Sequence, residues 1–360
     1  MRIAIPREIK PREGRIALIP EAVADLVRAG YRVTVETGAG TASGFPDQAY
    51  EQAGAEIAPD PAAVYQAGEL IVKVKEPVSE ELQHLRGDHL LFCYLHLAAN
   101  PALARALQEI GVTAIAFETV AVGDRLPLLA PMSQIAGRLS VQTGAYLLHS
   151  EPGGRGVLLG GVPGAHRGRV TVLGAGMAGM EAIRLAAANG AEVMVFDRSP
   201  QKLDQANALA PNITALYPQQ NVLARILEET DLLIGAVLLP GRRAPKLVRR
   251  EDIARMPAGA IAIDISVDQG GCMETTRPTT YDAPTYVEEG VIHFAVTNMP
   301  GAVPRTASQA LSGALSEYLP VLARGEWADH PALAEGVNVR EGRIVHAGVK
   351  AELEAADEGD

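Results

Sequence analysis

Apolar residues along this chain fall into short runs, and segments with helical spacing separate them. Runs at residues 2–6, 31–36, 70–75, 90–95 and 112–117 have the length and β-branched or aliphatic content of buried strands. Between them, residues 21–29, 47–53 and 61–67 carry apolar positions at helical intervals. Ser79 stands where it would cap a short helix with Glu80 and Glu81 in its first turn. Asn100 and Pro101 give a cap and a first-turn proline for a helix closing at Gly111. The pattern resumes further on, with strands at 170–173, 213–217, 232–236, 260–265 and 291–296 and helices at 200–209, 221–229 and 249–256. Two longer helices are expected at 133–149, with Ser133 as its cap, and at 306–324. The acidic tail, 352–360, is expected to be disordered.

Strand and helix in alternation predict open, mainly parallel sheets with helices on both faces. Such sheets take ligands outside the carboxyl ends of their strands. Arg15 lies in the polar loop after the first strand, and Lys75 and His96 close two later ones. The topology therefore allows these three to meet in one crevice.

The most informative stretch runs from Gly168 to Asp197. A strand leads into Gly174-Ala175-Gly176-Met177-Ala178-Gly179, a helix follows and ends at Gly190, and a second strand ends at Asp197. The first glycine permits the tight turn, the second lets backbone approach a pyrophosphate, and the third lets helix and strand pack closely. The helix N-terminus offers N–H groups and a positive dipole end to phosphate. Asp197 stands where a carboxylate accepts from both ribose hydroxyls, which favours NAD over NADP. Arg198 and Lys202 lie close by and read as solvated surface charge, with Lys202 retained as a cofactor-side candidate. The fold expected is α/β: two doubly wound, mainly parallel sheets of Rossmann type, joined by long helices. Residues 1–132 plus 300–360 would form a discontinuous substrate domain, and 133–299 a dinucleotide-binding domain.

Composition narrows the function. The chain has 360 residues, enough for two domains, and its 4% aromatic content points to an aliphatic core. A net charge of −11 with no basic run argues against a nucleic-acid partner. Two cysteines, Cys93 and Cys272, are too few for a disulfide framework or a structural zinc site. The charged N-terminus lacks the apolar run of a signal peptide, and the stretch 232–239 is too short to cross a membrane. The expectation is a cytoplasmic protein without a membrane partner.

Four further blocks carry a resemblance. Residues 5–20, Ile-Pro-Arg-Glu-Ile-Lys-Pro-Arg-Glu-Gly-Arg-Ile-Ala-Leu-Ile-Pro, resemble the signature of the alanine dehydrogenase and transhydrogenase α-subunit family. So do Gly160-Gly161-Val162-Pro163-Gly164 running into the glycine turn, Val267 to Cys272 with Glu274, and His293 to Gly301. Together they span nearly the whole chain. The resemblance implies a homo-hexamer, NAD as cofactor, and reversible oxidative deamination of L-alanine to pyruvate and ammonium. It implies substrate-holding roles for Arg15 and Lys75, a pocket position at Met132, and acid/base roles for His96 and Asp268. Ser133, Asp197, Asn298 and Met299 match cofactor-side positions.

These residue types suit that chemistry. A guanidinium can hold a carboxylate with paired hydrogen bonds, and a lysine can add charge to the carboxylate or to a developing carbonyl oxygen. Imidazole is a suitable base for an α-amine near neutral pH. A carboxylate can steer the protons of the attacking water. No His/Cys/Asp cluster has metal-ligand spacing. Each residue also has a plainer reading: Arg15 stands among many charges, His96 could be a satisfied core histidine, and Asp268 in a Gly-rich turn could be a turn former. His293 reads as structural. Other readings of the whole are a transhydrogenase α-type subunit, a saccharopine-type dehydrogenase, or a non-catalytic NAD sensor. The Lys75 and His96 pair favours a dehydrogenase over the transhydrogenase subunit, the set of Arg15, Lys75, His96 and Asp268 argues against the sensor, and the saccharopine-type enzyme shares the two-domain plan.

Overall fold

The alternating pattern builds two sheets. The computed structural model describes residues 1–237 and 244–357, which form two compact units, Met1–Met132 with Gly301–Asp360 and Ser133–Pro300. Leu238 and Leu239, the end of the apolar stretch 232–239, and the last three residues of the tail lie outside the described residues.

In chain order the first unit contains β1 (Ile3–Ile5), α1 (Pro20–Arg28), β2 (Val33–Glu36), α2 (Asp47–Gln52), β3 (Glu56–Ala58), α3 (Pro61–Ala67), β4 (Leu70–Val72), α4 (Ser79–Leu82), β5 (Leu90–Cys93), α5 (Pro101–Ile110) and β6 (Thr113–Ala116). Helix α6 (Ala130–Leu147) carries the chain across the boundary between units. The second unit follows with β7 (Arg169–Leu173), α7 (Met177–Ala188), β8 (Glu192–Phe196), α8 (Pro200–Asn207), β9 (Ile213–Leu216), α9 (Gln220–Leu227), β10 (Leu232–Gly235), α10 (Arg250–Ile253), β11 (Ile261–Asp264), β12 (Thr285–Glu288) and β13 (Val291–Phe294). The chain then returns to the first unit with α11 (Pro304–Leu315), α12 (Leu319–Arg324), α13 (Pro331–Glu335), β14 (Val337–Arg340), β15 (Arg343–Ile344) and α14 (Ala347–Asp357).

The first sheet has strand order β15-β14-β6-β5-β4-β1-β2-β3, and the second β12-β13-β11-β10-β7-β8-β9. In each, the first six strands of the unit are parallel or, in the second unit, six of seven are, and an antiparallel addition sits at one edge. The connections reverse direction between β1 and β4 and between β7 and β10, so each sheet is doubly wound with its ligand crevice at that switch. Covered on both faces, β1, β4 and β5 are buried at every residue. Ala4, Ile71, Leu91 and Ala114 share one core cluster, and Val170, Val172, Ile234 and Ile263 another.

Several elements depart from the sequence pattern. The helix expected at 306–324 is two helices, α11 and α12, with a break before Pro320. Proline lacks the N–H needed to continue the ladder and crowds the preceding turn. Helix α6 starts at Ala130, so Ser133 is an interior residue and not the cap. Ser79 likewise opens α4 from inside, and the Val78 N–H is met by Glu81 Oε2 at 2.9 Å. The tail is helical through Asp357. The apolar pattern does not reveal β3, β12 and β15, which are edge strands, or β14, which lies next to an edge and mixes polar with apolar residues.

One buried charge cluster braces the first sheet. Lys73, 1% exposed, pairs with Glu81 Oε1 at 2.6 Å and Glu8 Oε2 at 3.3 Å. Burial alone would lower the ammonium pKa, but the two carboxylates more than offset it and leave it raised. Replacing Lys73 by Met leaves two buried carboxylates without their cation. We expect a loss of about 3–5 kcal/mol in unfolding free energy by urea titration; a loss below about 1 kcal/mol would contradict a bracing role.

Candidate functional site

The first-unit candidates stand on one edge of their sheet. Arg15 lies in the loop after β1, Lys75 just past β4, and His96 just past β5, and those three strands are neighbours in the order β5-β4-β1. The ladder extends beyond the strands proper: Lys73 N–H donates to Phe92 O at 3.1 Å and Tyr94 N–H to Val74 O at 3.0 Å. Lys75 and His96 therefore leave adjacent, still-paired segments.

Arg15 is 2% exposed. Its Nε donates to Glu13 Oε1 at 2.7 Å, its Nη2 to Glu13 Oε2 at 2.5 Å, and its Nη1 to the Met132 sulfur at 3.1 Å. Burial opposes the guanidinium charge, yet the two-point bond to Glu13 prevails and raises its pKa. Met132, also buried, is thus in direct contact with the candidate substrate arginine. Lys75 is half-buried, and its backbone N–H points to Glu8 Oε2 at 3.4 Å, while Val74 N–H meets Glu8 Oε1 at 2.7 Å.

His96 is the most accessible of the three, with its side chain 44% exposed. Its backbone is left-handed, φ 49° and ψ 40°, a conformation that costs a non-glycine residue on the order of 1–3 kcal/mol and clusters at functional sites. Leu95 and Leu97 on either side are buried, so the turn drives two leucines inward and leaves the imidazole outward. The ring lies parallel to Tyr94 at 5.9 Å and 7°. Tyr94 is itself buried beside Arg15, and its hydroxyl donates to Leu128 O at 2.6 Å.

In the second unit the three fingerprint glycines each meet a different requirement. Gly174 has φ 92°, and a Cβ there would lie 2.6 Å from Ala236 O. A Cβ on Gly179 would fall 1.7 Å from Gly174 O. At Gly176, the N-cap of α7, an added Cβ would meet nothing within 4 Å. Packing accounts for the first and third; the second borders open space at a helix N-terminus, the cradle a pyrophosphate fills. Asp197 accepts from Ala175 N–H at 2.7 Å and Ser199 N–H at 2.8 Å, which aims its carboxylate at the mouth of the glycine turn and leaves a lone pair on each oxygen. Lys202 is exposed in the first turn of α8.

Asp268 is exposed in a 3₁₀ turn, Ile265–Gln269, beyond β11. The turn is held by Asp264, which the sequence reading passed over. Its buried carboxylate accepts from the N–H groups of Ser266 at 3.0 Å and Cys272 at 2.8 Å and from Thr276 Oγ1 at 2.5 Å. Burial and this acid together push the Cys272 thiol far up, so it is inert. Asn298 has φ 61°, which its short amide tolerates, and Met299 follows it into a 3₁₀ turn where its carbonyl accepts from Tyr281 hydroxyl at 3.0 Å. Ser133 is half-buried inside α6. His293 bonds Thr275 Oγ1 at 2.8 Å through Nε2 and Val291 O at 3.0 Å through Nδ1, a satisfied core histidine. No group of three His, Cys, Asp or Glu among the described residues could hold a metal ion.

Sequence reasoning missed Glu8, Glu13, Lys73, Glu118 and Asp264. The available signal was a charge inside or directly after an apolar run, as at Lys73 and Asp264, where burial requires a partner.

A doubly wound dinucleotide fold in one unit, and in the other a sheet with cationic and imidazole groups at its carboxyl edge, define a recognisable class. The chain is a member of the alanine dehydrogenase/PNT family: residues 4–136 match the model for its N-terminal domain and 140–347 that for its C-terminal domain. It is 47% identical to an alanine dehydrogenase of Bacillus subtilis (strain 168), over 98% of this chain and 95% of that one. It is similar to the solved structure of an L-alanine dehydrogenase with a TM-score of 0.94, 47% identity and 99% of each chain covered. A transhydrogenase from Sinorhizobium meliloti is more distant, at TM-score 0.83, 26% identity, and 96% of this chain and 99% of that one covered.

The glycine geometry gives a paired prediction. Gly176→Ala should fold with a near-wild-type melting temperature but weaken NADH binding at least about tenfold, whereas Gly179→Ala should lower the melting temperature or fail to fold. Fluorescence titration with NADH and thermal melts check both; equal effects of the two substitutions would contradict the assignment.

Proposed function

We infer that this chain is an NAD-dependent amino-acid dehydrogenase that catalyses the reversible oxidative deamination of L-alanine to pyruvate and ammonium. The observation that carries the reading is the placement of Arg15, Lys75 and His96 after three adjacent strands, on the carboxyl edge of one sheet. Near full-length identity to alanine dehydrogenases supports it. The greater distance from the transhydrogenase disfavours an α-type subunit, which has no amino acid to bind. A non-catalytic sensor would have no use for the acid/base set.

Each residue has a defined task in this reading. Arg15, oriented by Glu13, and Lys75 bind the substrate carboxylate. Met132 lines the pocket against Arg15. His96 removes the proton that makes the α-amine neutral, and Asp268 guides the protons of the water that attacks the imine carbon. Gly174, Gly176, Gly179 and Asp197 hold the dinucleotide, with Ser133, Lys202, Asn298 and Met299 on the cofactor side. When bound, NAD supplies the acceptor for the hydride leaving Cα. We further propose a cytoplasmic homo-hexamer without membrane or nucleic-acid partners; no helix among the described residues is long and apolar enough to cross a membrane.

NADH should form from L-alanine and NAD, and NADH should be consumed only when pyruvate and ammonium are both supplied. Absence of turnover in both directions would overturn the reading. His96→Ala should cut kcat by about 10²–10⁴-fold while NADH still binds. Asp197→Ala should erode the preference for NAD over NADP; an unchanged ratio of kcat/KM values would remove the ribose role.

A further inference from the structure

We propose that Glu118 is the positioning residue for His96, supplying from a side chain the acceptors that the neighbouring strand no longer provides. The inference rests on the reading of His96 as the acid/base group. Strands β5 and β6 are parallel neighbours in register up to Cys93 opposite Ala116. Beyond that point Tyr94 still pairs with the β4 side through its N–H to Val74 O at 3.0 Å. The N–H of Leu95 faces the other way, toward β6. There the residue due in register, Phe117, has already turned off into the 3₁₀ turn Phe117–Thr119.

The Glu118 carboxylate fills that gap. Leu95 N–H lies 3.2 Å from both of its oxygens, and His96 N–H donates to Oε1 at 2.6 Å. The same Oε1 is 3.9 Å from His96 Nδ1. One carboxylate thus holds two successive N–H groups at the residue whose backbone is left-handed, and fixes the direction in which the imidazole leaves the sheet. Nearby, His346 caps α14 by accepting from Val349 N–H at 3.3 Å, and α14 packs on the turn Leu97–Ala99. Glu118 touches no reacting atom in this account; it works through the turn that it anchors.

The test uses the full-length enzyme with Glu118→Ala and Glu118→Gln. Glutamine keeps an oxygen at the position that accepts from His96, so it separates the acceptor role from the charge. Glu118→Ala is expected to lower kcat by about 100-fold, the scale of a misplaced catalytic group, with the KM for L-alanine within about threefold and NADH affinity unchanged. With 2-deutero-L-alanine, the isotope effect on kcat should rise in that variant as chemistry becomes limiting. Glu118→Gln should recover kcat to within about tenfold of wild type. An alanine variant within about threefold of wild type, with an unaltered isotope effect, overturns the inference. So does a folded glutamine variant as inactive as the alanine one, and this comparison decides the matter if the alanine variant does not fold. A wild-type enzyme inert toward L-alanine overturns the proposed function and this inference with it; an active wild type with an unaffected variant overturns the inference alone.

Discussion

Parallel sheets leave a difficulty at their carboxyl edge: as strands stop at different heights, N–H groups lose their partners while still shielded from water. A buried donor left in that condition costs roughly 1–3 kcal/mol. Here carboxylates solve the problem again and again. Glu8 receives Val74 N–H, Glu118 receives Leu95 and His96 N–H, Asp197 receives Ala175 N–H, and Asp264 receives Ser266 and Cys272 N–H. Each bond is charge-assisted and therefore strong. Each also fixes the backbone next to a residue with a proposed chemical task. Glu13 does the same for Arg15 through side-chain bonds.

This arrangement explains why the site can be both charged and ordered. Arg15, Glu13, Lys73, Glu8 and Glu81 are removed from solvent almost completely, which would be prohibitive for any one of them alone. Paired, they form a rigid floor to the edge from which Lys75 and His96 emerge. The two exposed candidates, His96 in the first unit and Asp268 in the second, lie at short 3₁₀ turns that follow a strand. Rigid scaffold and accessible group are thus adjacent in sequence, separated by only a few residues.

Much of the architecture was legible because buried strands and glycine turns leave strong local marks. The stretch around Gly174, Gly176 and Gly179 revealed strand, turn, helix and acid, and the geometry at each glycine has a distinct cause. Asn100 does cap α5, accepting from Leu103 N–H at 3.2 Å. What stayed hidden depends on partners distant in sequence. Glu118 looks like a loop acid until β5 and β6 are seen side by side. Glu13 and Arg15, two residues apart in a run of charges, give no hint that both are buried. Strand β14 (Val337–Arg340) contains Asn338, which reads as polar surface but is buried and donates to Thr119 Oγ1 at 2.8 Å. The break between α11 and α12 has its local mark in Pro320, which apolar spacing alone does not register.

The antiparallel pairing of β14 with β6 has a consequence for biosynthesis. Residues 133–300 are contiguous and can complete their sheet as soon as they clear the ribosome. The sheet bearing Arg15, Lys75 and His96 cannot, because its β6 edge waits for residues near 337–340, and the turn after His96 waits for α14. The segment made first is therefore finished last, and an open strand edge persists through most of translation, when chaperone capture or edge-to-edge association has its widest opportunity.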